Sequence, residues 1–194
     1  MQIVLATSNP HKVEEINAIT KDLGVEFVLP PDGFNPIENG ATFEENALIK
    51  AKEANKLTGM PSLADDSGLC VDALDGSPGI YSCRYADTPK ARIDKLLEEL
   101  KNIPLTKRDA KFVCAMVLLD KNGEILFSDL GECFGKISFE PKGENGFGYD
   151  PIFFVNGKSI TMAELSEDEK NKISHRSIAL QKLISYIKQN NTLI

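Results

Sequence analysis

Several short stretches of the chain carry side chains that could do chemistry. Thr7-Ser8-Asn9-Pro10-His11-Lys12 puts two hydroxyls, an amide and a lysine where an apolar strand gives way to a helix. The free N–H groups and positive end of a helix N-terminus favour an anion, so this turn suits a phosphate. It lacks the Gly-x-x-x-x-Gly-Lys-Ser/Thr spacing of the common phosphate loop, and a plain helix cap at Asn9 explains the same residues. Asp65-Asp66-Ser67-Gly68 offers two adjacent carboxylates that face opposite ways if a strand runs through them, which leaves one for a given ligand. A lone carboxylate beside phosphates suits Mg2+, which takes oxygen ligands and keeps several waters; a polar turn between strands is the competing reading. In Gly143-Glu144-Asn145-Gly146-Phe147-Gly148-Tyr149-Asp150, Phe147 or Tyr149 could stack on a planar base and Asp150 could accept from its edge. A hairpin loop with its aromatics tucked into the core fits the same stretch. Lys170, His175 and Arg176 lie near the start of the last helix, where cations ordinarily solvate a surface, and His11 reads as an exposed loop side chain. Neither histidine has a Ser or Cys nucleophile signature nearby, so a catalytic triad has no support.

These stretches need elements to hold them. Residues 2–6 read as a strand, followed by a helix capped at Asn9 with Pro10 in its first turn, an apolar face of Val13, Ile16, Ile19 and Leu23, and a stop at Gly24. A second helix starts at Thr42, with Glu45 at reciprocal-capping distance and Phe43, Ala47, Ala51 and Ala54 as its buried stripe; Gly59 and Pro61 end it. Residues 62–64 read as a short strand running into the acidic segment, and acidic residues at a strand's end sit where open α/β sheets bind ligands. Thr88-Pro89 opens a third helix. Residues 110–120 and 124–134 form a hairpin about Lys121-Asn122-Gly123, residues 152–155 a strand, and a terminal helix from about Ser174 repeats Leu180, Leu183, Ile184 and Ile187 at helical spacing. The alternation implies a mixed α/β architecture.

At 194 residues, with 42% hydrophobic and 26% charged residues, the chain is long enough for one large domain or two closely packed lobes, and disorder is excluded. The longest apolar run, residues 112–119, is a core strand, far short of the roughly 20 residues that cross a bilayer. The opening residues lack the basic flank of a signal peptide, which points to the cytoplasm. Four scattered cysteines and two histidines offer no zinc spacing and read as buried free thiols. A net charge of −7 disfavours binding to nucleic acid, and leaves room for a small anion in a local basic cleft.

In this order, the motifs closely resemble the inosine/xanthosine triphosphate pyrophosphatases, which clear non-standard purine nucleotides. The likeness runs through Thr7 to Glu15, Thr42-Phe43-Glu44-Glu45-Asn46-Ala47, Ala64 to Leu69, Gly76 to Tyr85, Gly146-Phe147-Gly148-Tyr149-Asp150-Pro151 and Ile173-Ser174-His175-Arg176. It implies an ITPase-like (Maf/Ham1-type) α/β fold: one domain over residues 1–194, a long mixed sheet with flanking helices, two lobes and a cleft, assembled as a homodimer. It implies Mg2+-dependent hydrolysis of ITP, dITP and XTP to the monophosphate and pyrophosphate, by water attacking the α-phosphorus. By the same likeness Thr7, Ser8, Asn9, Pro10, His11 and Lys12 hold the triphosphate, Lys12 also neutralising developing charge. Glu38 and Asp66 hold the metal, Asp66 activates the water, and Ser67 touches the phosphates. Phe147 stacks on the base beside Gly148, Tyr149 and Asp150, while Lys170, His175, Arg176 and Arg84 complete the contacts. Ser8 replaces a Gly or Thr, and Tyr149 a Trp, found in some relatives.

The residues themselves agree: lysines, carboxylates and no evident nucleophile suit phosphoryl-group displacement, which needs positioning and charge neutralisation more than covalent catalysis. Two other readings compete. A pyrophosphatase for modified pyrimidine nucleotides, of the septum-inhibitor-like kind, would carry an Arg-rich opening loop, absent here, and a silent nucleotide-binding module would lose the metal carboxylates, whereas Asp66 is present.

Overall fold

The computed structural model describes residues 2–8, 13, 16, 17 and 19–190. Six strands, β1 (Gln2–Leu5), β2 (Glu26–Val28), β3 (Ser62–Val71), β4 (Asp109–Leu119), β5 (Ile125–Ile137) and β6 (Phe153–Val155), form one sheet in the order β2-β1-β3-β4-β5-β6. β1 is parallel to both neighbours, with Ile3 opposite Phe27 and Leu5 opposite Leu63; β5 and β6 are antiparallel. Buried Ile3, Val4 and Leu5 in β1, and residues 112–119 of β4, are the continuous apolar runs of interior strands. The chain divides into two compact units: Met1–Asp66 with Ala115–Leu130 and Ala179–Ile194, and Ser67–Cys114 with Gly131–Ile178.

In the first unit, β1 lies between the strands that follow it in sequence. β1 ends beside the first residues of β3, with Leu5 opposite Leu63. Thr7 and Ser8 follow β1 there, the Ala6 N–H donating to Leu63 O at 2.7 Å. Asn9, Pro10, His11 and Lys12, and with them the expected cap, lie outside the described residues. Of the helical residues that follow, Ile16 is buried, Val13 is half-buried and Ile19 is exposed. The expected face is thus rotated toward Thr20, which is buried with its hydroxyl donating to Ile16 O, and toward Asn17, whose amide exchanges two hydrogen bonds with the Phe27 backbone. Helix α1 (Phe43–Thr58) packs on β1 and buries Phe43, Ala47, Ala51 and Ala54 as expected. Thr42 accepts from Glu45 N, but Glu45 answers at Ala41 N rather than at the cap residue. The β4–β5 hairpin closes on Asp120, whose carboxylate accepts from Asn122 N and Glu124 N.

β3 is one unbroken strand through Asp65-Asp66-Ser67-Gly68, not a short strand ending in a polar turn. Burial of Leu69 and Val71 overrides the local turn signal, and their N–H groups find Ser82 Oγ at 2.9 Å and Ser77 O at 3.2 Å within the second unit. That unit's core joins Leu69, Val71 and Ile137 to Ile93 and Leu96 of helix α2 (Pro89–Glu99) and to Phe112 and Phe153. The strand expected at 152–155 begins one residue later, after a short 3-10 turn at Asp150–Ile152. A helix the sequence reading omitted, α3 (Glu167–Ile173), carries a full reciprocal cap between Ser166 and Glu169, and α4 (His175–Gln189) follows, burying Leu180, Leu183 and Ile187. None of the four cysteines forms a disulfide; Cys114 and Cys133 are buried and Cys70 half-buried, but Cys83 is exposed on a short surface 3-10 segment, Gly79–Arg84. Among the described residues no helix is long and apolar enough to cross a membrane.

Arg108, 1% exposed, ties this second core together through backbone carbonyls: Nε donates to Ile103 O, Nη1 to Ser138 O and Nη2 to Leu100 O, beneath the Phe139 ring. Arg108→Met keeps the bulk but strands the Ile103 and Ser138 carbonyls, Leu100 O keeping the Ile103 N–H, and is expected to cost about 3–5 kcal/mol in urea unfolding. Arg108→Lys recovers only part of that, since an ammonium cannot span the three acceptors.

Candidate active site

In the first unit, α1 presents Asn46 and Lys50, one turn apart, to the carboxylates of Asp66 on β3 and Glu38 in the segment before the helix. Lys50 Nζ lies 2.9 Å from Asp66 Oδ1 and 3.4 Å from Glu38 Oε2. Burial pushes the Asp66 carboxyl above its usual range; Lys50 and, more weakly, Asn46 oppose this, and Glu38 adds to it. Burial also opposes the charge on Lys50, but Asp66, Asp65 and Glu38 outweigh it and raise its pKa. Glu38 is placed by Gly40, whose N–H donates to Asn46 Oδ1 at 2.9 Å; a Cβ at Gly40 would stand 2.7 Å from the Glu45 Cβ, so only glycine permits that approach. Among the described residues no three metal-ligating side chains cluster. Two carboxylates drawn to one cation are nonetheless the donor set a hard divalent ion uses when substrate oxygens and water complete its shell.

In the second unit, Ser67 Oγ is buried and completes no hydrogen bond among the described residues, an orphan hydroxyl that suits an acceptor brought by a ligand. The glycine loop holds Phe147 out, 64% exposed, with Lys170 Nζ 4.5 Å and Arg176 Cζ 5.9 Å from its ring centre. Asp150, 3% exposed, builds this platform: its Oδ2 accepts from Phe147 N at 2.8 Å and from Lys170 Nζ at 2.5 Å. Gly146 makes room for it, since a Cβ there would lie 2.2 Å from that oxygen. An exposed ring flanked by two cations suits a planar base with acceptors at its edge.

The remaining expected site residues are placed differently. Tyr149 is turned into the core, its hydroxyl donating to Ser82 O at 3.0 Å, because the turn that exposes Phe147 drives the residue two along inward. Asp150 is likewise committed to the loop itself. His175 is not a surface cation: it is buried at the start of α4 with its ring stacked 5.0 Å from that of Phe112. Gly148 is exposed with φ 62°, and Arg84 is exposed with its guanidinium 5.7 Å from the Tyr81 ring centre.

The model of the Ham1 family matches residues 3–186. The chain belongs to the Ham1 family. A Haemophilus ducreyi protein named dITP/XTP pyrophosphatase is 50% identical, over 92% of this chain and 94% of its own length. One of the same name from Bacillus licheniformis is 47% identical, over 97% and 98%. A solved Ham1 protein from Staphylococcus aureus superposes with a TM-score of 0.91 at 40% identity, covering 98% of this chain and all of the other.

Sequence reasoning passed over Lys50, and it quoted Asn46 and Ser82 within matched motifs without giving either a role. Lys50 and Asn46 carry a signal in hindsight: both lie on the alanine-lined flank of α1, where a polar residue has to find a partner. Ser82 carries none, because its role depends on contacts with Leu69 and Tyr149, both distant in sequence.

Lys50→Met removes the largest influence holding the Asp66 pKa down, so the Asp66 carboxyl is expected to titrate at higher pH than in the parent, followed by carbon NMR. Because the folded chain then binds that proton more tightly than the unfolded one, the stability deficit of the variant should shrink as pH falls through the titration.

Proposed function

We propose that this chain is a Mg2+-dependent nucleoside triphosphate pyrophosphatase that converts ITP, dITP and XTP to the monophosphate and pyrophosphate, acting as a cytoplasmic homodimer that removes non-standard purines before they enter nucleic acid. The observation that carries the reading is the convergence of Glu38 and Asp66 on Lys50 in a chain of the Ham1 family. The names of its relatives support the substrate class.

Glu38 and Asp66 would hold Mg2+, and the bound ion would supply charge neutralisation and Lewis acidity at the phosphates. Thr7, Ser8, Asn9, Pro10, His11 and Lys12 bind the triphosphate, with the Ser67 hydroxyl as a further donor. Water attacks the α-phosphorus, the bond to the bridging oxygen of the β-phosphate breaks, and pyrophosphate leaves; Asp66 takes the proton of the attacking water. The raised pKa of Asp66 suits that task, since a stronger base accepts the proton more readily. Lys50 keeps Asp66 ionised in readiness and offsets the negative charge gathered there.

Phe147 stacks on the base. Lys170 and Arg176, with His175 and Arg84 as further contacts, supply donors to a 6-oxo group. A 6-amino group would leave those donors facing another donor, a mismatch that rejects ATP by several powers of ten. Asp150 and Tyr149 serve this recognition by holding the loop.

The test is product analysis with ITP, XTP and ATP in the presence of Mg2+. IMP and pyrophosphate from ITP, with little turnover of ATP, is the expected result; IDP and orthophosphate would mean attack at the terminal phosphate and refute the reading. Asp66→Asn is expected to lower kcat by about 10³-fold with folding intact by circular dichroism. Phe147→Ala should raise KM for ITP while the unfolding midpoint stays unchanged.

A further inference from the structure

Asn46 is the one wholly buried asparagine of α1, and its two amide ends differ in their partners. Its Oδ1 accepts the Gly40 N–H at 2.9 Å, two residues along from Glu38. The fit is close from both sides, because a side chain on Gly40 would press on that same oxygen. Its Nδ2 is buried and completes no hydrogen bond among the described residues, one helical turn before the Lys50 that draws in Asp66 and Glu38. A buried amide donor left without an acceptor is destabilising. A buried polar group kept at that cost calls for a use.

Resting on the metal site proposed above, we infer that Asn46 is the positioning residue of the Glu38 side of the carboxylate pair: its oxygen fixes the segment that carries Glu38. Lys50 attracts both carboxylates by charge, but an ammonium on a flexible stem sets distance more than orientation. A planar amide, one turn earlier on the same rigid helix, holds direction as well. Partners behind metal ligands commonly govern affinity by orienting them, and their loss costs roughly 10- to 100-fold.

The experiment uses the full chain, Mn2+ as the probe ion followed by electron paramagnetic resonance, and the α,β-methylene analogue of ITP, which water cannot cleave. Asn46→Ala is expected to weaken Mn2+ binding in the analogue complex by about tenfold or more. Its affinity for the analogue without metal should stay within about twofold of the parent, and with Mg2+ and ITP the loss should fall on kcat rather than KM, a split that mere loosening of the fold would not produce. Gly40→Ala, which pushes on Asn46 Oδ1 without emptying the core, should weaken Mn2+ binding in the same direction, and it decides the matter alone if Asn46→Ala does not fold. Mn2+ affinity equal to the parent's in a folded variant overturns the role of Asn46. A parent chain that binds the analogue but no Mn2+ overturns the metal site with it, and one that binds no analogue overturns the proposed function itself.

Discussion

The half-buried ammonium of Lys50, shared by Asp66 and Glu38, is the constraint on which the first unit's carboxylate pair rests. Burial and the nearby Glu38 both work against the charge on Asp66, so a cation beside the pair favours its ionised form. Lys50 meets that need from within the chain. It can do so only because α1 lies close on β1, and the small side chains of Ala47, Ala51 and Ala54 are what allow that approach. The sheet completes the arrangement: β1 ends early, and β3 runs on beyond it with Asp66 past the paired residues.

A related constraint shapes the glycine-rich loop of the second unit. An exposed aromatic ring on a glycine-rich loop would ordinarily be mobile, yet Phe147 is held at its own backbone N–H by Asp150, itself neutralised by Lys170. The same pair sets a cation over the ring. Ser82 anchors the loop from another side: its hydroxyl accepts the Leu69 N–H and donates to Gly79 O, while its carbonyl accepts the Tyr149 hydroxyl. Rigid support of a recognition surface lowers the entropy lost on binding, and it lets a mismatched base be rejected rather than accommodated.

Much of the fold was legible in the chain because the signals are local. Thr42 and Glu45, the alanine stripe of α1, Thr88-Pro89 and the turn at Gly123 each specify an element within a few residues. The misreadings arose where distant packing overrode such signals. Asp65-Asp66-Ser67-Gly68 has the composition of a turn, but burial of Leu69 and Val71 keeps it in a strand. Ile19 fits the helical period of Ile16, yet the surface covered is that of Thr20 and Asn17. The omitted α3 had the ordinary Ser-x-x-Glu start, obscured by a highly charged helix with no apolar stripe.

By itself the sequence determined the family, the alternation of strands and helices, and which residue types the candidate site offers: carboxylates and lysine in one stretch, an aromatic with cations in another. Residue type and short-range spacing are enough for these. Only the tertiary structure decided which of the neighbouring side chains faces what. It paired Asp66 with Lys50 across a helix and a strand, turned Tyr149 inward while Phe147 stayed out, buried His175 against Phe112, and made Asp150 a support of the loop. Adjacent residues on an irregular loop can point either way, and the choice is set by which side chain the distant core can accept and which buried polar group still lacks a partner.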